Sequence, residues 1–526
     1  MSRLVSRRNF MRALGAGGVG LIVPRLGLAQ TGPAIITRDA ARPKIAAGIQ
    51  AGDVGADGRA LIWTRADRPS RLVVDYASSD SFADARRVLG SDATPATDFT
   101  ARAELAGLPA GQTIFYRVSL LDLGDLKTQS LPMTGRLRMP AARSDVHFVW
   151  SADTVGQGWG INPEWGEMRI YEAMRKQHPD FFIHSGDTIY ADGPLAAEVP
   201  LDDGGVWKNL VTEAKSKVAE SLAEFRGNYA YNWLDENYRR FAAEVPQIWQ
   251  WDDHEVVNNW SNSKVLDDRY TEKRIGVLSA RARQAFLEYA PVRPGADRRA
   301  RIHRKIGYGP LLDVFVVDMR SFRGANSHNT QPVESAETEF LGRAQIAWLA
   351  QELRQSNAMW KVIAADMPLG LIVGDGKDAQ GRDRFEGVAN RDGKPLGREL
   401  ELAGLLRTLK RARVGNMVWL TGDVHYTAAH YYDPAKAQFT EFDPFWEFIS
   451  GPLNAGTFGP SALDNTFGPQ VIWQKTPPPG KLNLPPSAGL QFFGQVRIEA
   501  RTGAMTVTLR DLTGAALYTK TLEPAR

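Results

Sequence analysis

Residues 186–193 read Gly186-Asp187-Thr188-Ile189-Tyr190-Ala191-Asp192-Gly193, and they follow the apolar run 181–184. Glycine lets the backbone turn sharply, so that the Asp187 carboxylate reaches a ligand. Its two oxygens could bridge two cations. Tyr190 could add a phenolate, which strongly prefers a hard trivalent ion such as Fe³⁺. A second segment, Trp251-Asp252-Asp253-His254-Glu255-Val256-Val257-Asn258-Asn259, follows the apolar pair Ile248-Trp249. There Asp253 reads as a ligand, and His254 could stabilise charge or donate a proton to a leaving oxygen. Asn259 could contact metal or phosphate, although paired asparagines also cap helices. In Gly422-Asp423-Val424-His425, acid and imidazole alternate. An extended chain projects both to one side, as shared coordination requires. His425 is the strongest imidazole candidate, since histidine is the commonest metal ligand.

Regular structure must position these groups. Short apolar runs at 146–150, 181–184, 247–251, 311–317, 362–365 and 417–420 each stop on a carboxylate, in two cases with a histidine close by. The acids are Asp153, Asp187, Asp252-Asp253, Asp318 (with Arg320), Asp366 and Asp423. Runs of this length, spaced by helix-like stretches, predict strands buried on both faces. Side by side and parallel, their carboxyl ends meet at one rim, where open α/β sheets bind ligands. So many acids at one rim repel each other unless cations sit among them. The predicted chemistry is that of a metal-dependent hydrolase. Other chemistries lack their motifs: there is no phosphate-binding P-loop and no serine nucleophile elbow. Gly156-Gln157-Gly158-Trp159-Gly160 lacks the dinucleotide spacing, and His147 and His184, inside apolar runs, read as packed. With no cysteine in the chain, disulfides and thiolate ligands are excluded.

The formal charge of +4 is concentrated at one end. Residues 1–29 hold five arginines and no acid, and without them the charge falls to −1. A basic nucleic-acid-binding surface is therefore not expected. Ser6-Arg7-Arg8-Asn9-Phe10-Met11, followed by a weakly apolar Gly/Ala/Leu stretch, resembles a twin-arginine export signal cleaved after Gly27-Leu28-Ala29. A membrane anchor fits worse, because the stretch is short, glycine-rich and broken by Pro24-Arg25. No later stretch is long enough for a stable membrane span. The expectation is export through the twin-arginine machinery to the periplasm or the exterior, folded and with metal loaded.

Residues 30–44 read as a linker. From 45 to 140, short alternating strands are separated by Gly, Asp and Pro turns. Leu108-Pro109-Ala110-Gly111-Gln112-Thr113 before Phe115-Tyr116-Arg117-Val118 resembles the turn and strand of fibronectin-type sandwiches, and an immunoglobulin-like β-sandwich fits the size. Beyond Pro140, residues 164–176, 344–355 and 398–411 read as helices between core strands, implying right-handed crossovers. The stretch 195–244 reads as a helical insertion near the mouth of the site. Its aromatics, including Phe225, Tyr229 and Trp233, suit helix packing; substrate contact is the alternative. After Asp433 the chain reads as loop-rich, closing with antiparallel strands at 490–500, 504–509 and 516–521.

Together GDTIYADG at 186–193, WDDHEVVNNW at 251–260, VDMRSFRG at 317–324, Leu341-Gly342 with Gln345 and Trp348-Leu349, and GDVHYT at 422–427 resemble the PhoD family. That family comprises alkaline phosphatases and phosphodiesterases, a branch of the metallophosphoesterase superfamily. The resemblance runs from about residue 45 to the end, where AGIQAGDV and ALIWTR are similar to the family's accessory β-domain. It implies an α/β fold over 141–526, a metallophosphoesterase-type β-sandwich flanked by helices. An all-β immunoglobulin- or fibronectin-like domain over 45–140 would precede it. It also implies ligand roles for Asp187, Tyr190, Asp253, Asp423 and His425, a further ligand at Asp366, and a phosphate clamp at Arg320. The family binds Fe³⁺ together with Ca²⁺.

One departure matters. Where the family commonly has a cysteine, this chain reads Val149-Trp150-Ser151-Ala152-Asp153, and Asp153 is expected to take over as an oxygen ligand. The dinuclear or multinuclear centre is then built almost wholly from oxygens, which also suits Mn²⁺ or Mg²⁺. The expected activity is hydrolysis of a phosphate-ester substrate, monoester or diester. The alternatives are a non-catalytic envelope binding protein and a metal hydrolase of a non-phosphate ester.

Overall fold

Val146–Ser151, Phe181–Ser185 and Gln247–Gln250 are strands buried along their whole length. In the first, Phe148 and Trp150 enter one core while Val149 enters another, the two-residue period of a pleated strand. In the computed structural model, which describes residues 38–295 and 300–525, these three lie parallel within a nine-stranded sheet. Antiparallel strands Phe492–Ile498, Met505–Asp511 and Ala516–Leu522 extend it on one side. On the other side Ile45–Gly55 joins Gln247–Gln250, followed by Arg59–Ala66 and Thr100–Leu105.

Leu312–Val316, Trp360–Ala364, Met417–Thr421 and Phe445–Ile449 lie parallel in a seven-stranded sheet. The two sheets share a core in which Phe148, Trp150 and Phe181 meet Val314, Val362 and Val418. Helices Arg169–Arg175, Leu222–Asn232, Glu236–Glu244 and Ile275–Tyr289 cover the outer face of the nine-stranded sheet, their Met174, Phe225 and Phe286 packing against Val149, Phe182 and Trp249. Arg343–Gln355 and Glu399–Arg411 cover the other sheet, with Leu349 and Leu406 against Phe315, Ile363 and Trp419. The architecture is mixed α/β and sheet-rich. The six apolar runs thus divide three and three between two facing sheets rather than lining up in one.

Two expectations need correction. The insertion 195–244 is helical only in its second half; its first half holds a hairpin, Glu198–Pro200 with Val206–Lys208. Asp202-Asp203-Gly204-Gly205 makes that turn, with Gly204 at φ +84°, a conformation glycine adopts without strain. The region after Asp433 holds a core strand, Phe445–Ile449. Glu447 hides its apolar run, yet is fully buried because Tyr432 Oη and the Leu369 amide donate to its carboxylate, each at 2.8 Å.

Within 45–140, Arg86–Ala93, Ser70–Ala77, Thr113–Asp122 and Met133–Arg138 form a four-stranded sheet in that order. Its Leu72, Val74 and Val118 share a core with Ile49, Ile62 and Leu105. These strands are also fastened to later parts of the chain. Trp63 stacks on Trp233 with ring centroids 5.0 Å apart and donates to the Glu288 carbonyl at 2.8 Å, and Ala40–Arg526 holds together as one unit. Among the described residues no helix is long and apolar enough to cross a membrane. The twin-arginine segment lies outside the described residues.

Candidate metal centre

The acids expected at strand ends emerge from both sheets. Asp153 follows Val146–Ser151, Asp187 follows Phe181–Ser185, Asp252 and Asp253 follow Gln247–Gln250, and Asp423 follows Met417–Thr421. Asp153, Asp187, Asp423 and His425 have φ of 69°, 51°, 66° and 60°. Left-handed backbone at four non-glycine residues in one place is the kind of strain that functional sites hold. Glycines let the loops approach. A Cβ at Gly186 would lie 2.5 Å from Asp252 Cβ, and one at Gly422 would lie 2.3 Å from Ala152 Cβ.

The side chains then fall into three overlapping groups: Asp153, Asp187 and His425; Asp187, Asp253 and His254; and Asp252, Asp253 and Asp423. Within each group, ligand-type atoms lie within 4.8 Å of one another. Asp187 belongs to two groups and Asp253 to two, the arrangement expected of carboxylates bridging neighbouring positions. Tyr190 Oη lies 2.9 Å from His425 Nε2. His425 Nδ1 faces the Gly456 carbonyl, so Nδ1 carries the ring proton and Nε2 offers a lone pair. His254 Nδ1 lies 2.7 Å from Asp192 Oδ1, and the His254 amide donates to Asp187 Oδ1 at 3.1 Å. A cavity of about 310 Å³ opens onto Asp187, Asp253, His254, Asp423 and His425.

Electrostatics and unsatisfied oxygens test whether cations fit. Burial, reinforced by neighbouring carboxylates, pushes Asp153, Asp187, Asp252 and Asp423 well above the usual carboxylate range. Burial opposes ionisation at Asp253 too, but His254 and Arg320 hold it down to about 2. His254 is raised despite burial, by Asp192 and Asp253, whereas burial lowers His425 to about 4. Neither oxygen of Asp153, nor Asp253 Oδ1, has a hydrogen-bond donor. Buried carboxylate oxygens left bare are costly, and bound cations would satisfy them. The donor set of carboxylates, a phenol and an imidazole fits hard multivalent metals.

Three expected residues sit differently. Arg320 is fully buried, beneath the carboxylates rather than on the cavity wall. Its guanidinium lies 2.5 Å from Asp252 and from Glu386, and within 3.9 Å of Asp366, Asp253 and Asp423. It neutralises acids and has no exposed edge to clamp phosphate. Asp366 stands outside the three groups, against Arg320 at 3.6 Å and next to Asp252, with burial raising it to about 6. Asn259 does line the cavity, but its backbone amide donates to Asp253 Oδ2 and its side-chain amide to Asp375 Oδ1 at 3.0 Å. His147 and His184 contact Gln495 at 2.6 Å and Thr154 at 2.9 Å.

Sequence reasoning missed Asp192 and Glu386, and it named Asp252 as a strand-end acid without a ligand role. Asp192 lay in view within the 186–193 motif, and Asp252 beside Asp253. Glu386 carries no signal, because a short hairpin, Gly374–Lys377 with Asp383–Phe385, delivers it to the cavity.

Comparisons with known proteins find similar sequences and folds. The family model described as PhoD-like phosphatase matches residues 148–509, and that described as PhoD-like phosphatase, N-terminal domain, matches residues 29–141. Alkaline phosphatase D of Bacillus subtilis (strain 168) is 26% identical over 440 residues, covering 78% of this chain and 70% of that protein. A solved structure of PhoD superposes with a TM-score of 0.66 at 20% identity, over 91% of this chain and 89% of that one. A purple acid phosphatase from yellow lupin seeds gives a TM-score of 0.52 at 10% identity, over 92% and 74% of the two chains.

Proposed function

The chain belongs to the PhoD-like phosphatase family and is a phosphoester hydrolase; from that premise we propose an exported, metal-dependent enzyme acting on phosphomonoesters, phosphodiesters or both. The observation that carries the metal dependence is the overlap of three ligand groups through Asp187 and Asp253. Asp153, Asp187, Tyr190, Asp253, Asp423 and His425 would hold the metals, with Asp252 completing the third group. The family resemblance favours Fe³⁺ with Ca²⁺, and the oxygen-rich donor set also accommodates Mn²⁺ or Mg²⁺. Bound there, such cations supply Lewis acidity toward phosphoryl oxygen and make a nearby water more acidic.

The protein's own groups do the rest. Asp192 accepts from Nδ1 of His254 and, with Asp253, favours the protonated ring, so that Nε2 of the imidazolium carries a proton for the departing ester oxygen. Arg320 offsets the mutual repulsion of Asp252, Asp253, Asp366, Asp423 and Glu386, so that the carboxylates stay close without unfolding the loops. The Asn259 amide fixes Asp253.

Domain boundaries and destination belong to the same proposal. Residues 45–140 form an immunoglobulin- or fibronectin-like accessory domain, and 141–526 the metallophosphatase domain. Residues 1–29 direct export by the twin-arginine machinery to the periplasm or the exterior. The test is Asp187→Asn, with parent and variant assayed on p-nitrophenyl phosphate and bis(p-nitrophenyl) phosphate beside elemental analysis. Metal and turnover should fall together. A variant that keeps parent turnover, or a parent whose activity survives exhaustive chelation, defeats the metal reading.

A further inference from the structure

The insertion 195–244 contributes no residue to the wall of the catalytic cavity. It lies behind the site loop and holds that loop by its carbonyls. Asn232 Nδ2 donates to the Thr188 carbonyl at 2.7 Å, Lys215 Nζ to the Tyr190 carbonyl at 2.9 Å, and the Ala219 amide to the Ala191 carbonyl at 2.8 Å. Arg269 Nη1 adds the Asp192 carbonyl at 3.1 Å. On the opposite side the Ala191 amide donates to the His254 carbonyl at 2.8 Å. The segment is therefore gripped from two directions.

Lys215 is the unusual member of this grip. It is only 2% exposed, and its second donor bond goes to Asn228 Oδ1 at 3.0 Å. Its ammonium also lies 5.9 Å from the centre of the Tyr231 ring. Both oxygens that accept from it are uncharged. Burying an ammonium with neutral partners is unfavourable relative to an apolar side chain of the same length. The two residues flanking Ala191 explain what the lysine holds. The Tyr190 phenol must reach His425 Nε2, at 2.9 Å, while the Asp192 carboxylate must reach His254 Nδ1, at 2.7 Å.

We propose that Lys215 is a positioning residue, which through the Tyr190 carbonyl fixes residues 190–192 so that both side chains meet their imidazoles. The inference rests on the phosphoesterase reading of the site. Without that bond the backbone at Tyr190 is free to shift, and a shift near 1 Å at such a site costs about 100-fold in rate.

The decisive variant is Lys215→Met, measured three ways. kcat should fall about 10- to 100-fold with KM within about threefold of the parent. Amide hydrogen exchange of residues 188–192, read by mass spectrometry, should quicken. The thermal midpoint should fall, because two buried acceptors lose their donor; the kinetics are therefore read well below it, and the loss in kcat at near-constant KM separates positioning from a structural role. Parent-like kcat together with parent-like exchange overturns the proposal. If Lys215→Met does not fold, Asn228→Leu carries the test, since it frees the ammonium from the helix. It should lower kcat less and quicken the same amides, and parent-like values of both again overturn the idea. Should the parent hydrolyse no phosphate ester, the reading of the site fails, while the exchange comparison still decides the role of Lys215.

Discussion

Oδ1 of Asp192 sits 2.7 Å from Nδ1 of His254, and Oδ2 of the same carboxylate accepts the Asn258 amide at 2.8 Å. One acid therefore fixes both the ring and the chain that carries it. The imidazole is held with Nδ1–H toward Asp192, which orients Nε2 for proton delivery. Asp192→Asn keeps the shape but loses the charge that stabilises the imidazolium. kcat should drop about 100-fold for an alkyl phosphate ester and much less for a p-nitrophenyl ester, whose leaving group needs no proton. Equal losses on both substrates would remove His254 from the acid role.

Tyr190 and His425 make a second test. With Nδ1 of His425 facing the Gly456 carbonyl, the phenol and Nε2 point at one spot beside Asp153, whose Oδ1 is 3.8 Å from Nε2. If that spot takes Fe³⁺, the purified protein is coloured by phenolate-to-iron charge transfer. Tyr190→Phe should then abolish the visible band and lower the iron content. A colourless, iron-free parent with full activity would assign the position to another hard cation.

Gly156 offers a test that touches no ligand atom. A Cβ there would lie 2.4 Å from the Tyr190 ring, closer than packed atoms tolerate. Gly156→Ala must push the ring off His425, at a cost of about 1–3 kcal/mol for overpacking. The variant should stay folded by circular dichroism, lose metal and lose most of its turnover. Unchanged metal content would mean that Tyr190 is not needed to hold it.

Much of this was readable from residues because the chemistry sits where short apolar runs stop. Asp153, Asp187, Asp253, Asp423 and His425 were each visible as a carboxylate or imidazole closing such a run. What was hidden depended on distant pairing. Glu447 broke the apolar pattern of a core strand whose acid is held by Tyr432, Leu369 and His430. Glu386 reaches the cavity on a hairpin with no hydrophobic signature. For Arg320 the family resemblance implied an anion clamp, and nothing local reveals that five carboxylates surround it. The division of the parallel strands between two sheets was equally invisible, since buried strands look alike whichever sheet they join.

Acid stability gives the last prediction. His184 is 2% exposed and His147 8%, and burial pushes each down to about 3. Above pH 6.5 both rings are neutral in the folded and unfolded chains, so neither contributes. As pH falls below 6.5 the unfolded chain takes up protons that the folded one refuses, and stability declines until about pH 3. Each ring thereby costs up to roughly 5 kcal/mol at the acid end. Asp235 and Glu401, raised by burial to about 7, act with the opposite sign over pH 4–7, so the histidine share must be read as a difference between variants. His184→Gln should flatten the decline between pH 6.5 and 3 relative to the parent, measured by urea unfolding across that range. Parallel curves for parent and variant would show that His184 is protonated in the folded chain as readily as in the unfolded one.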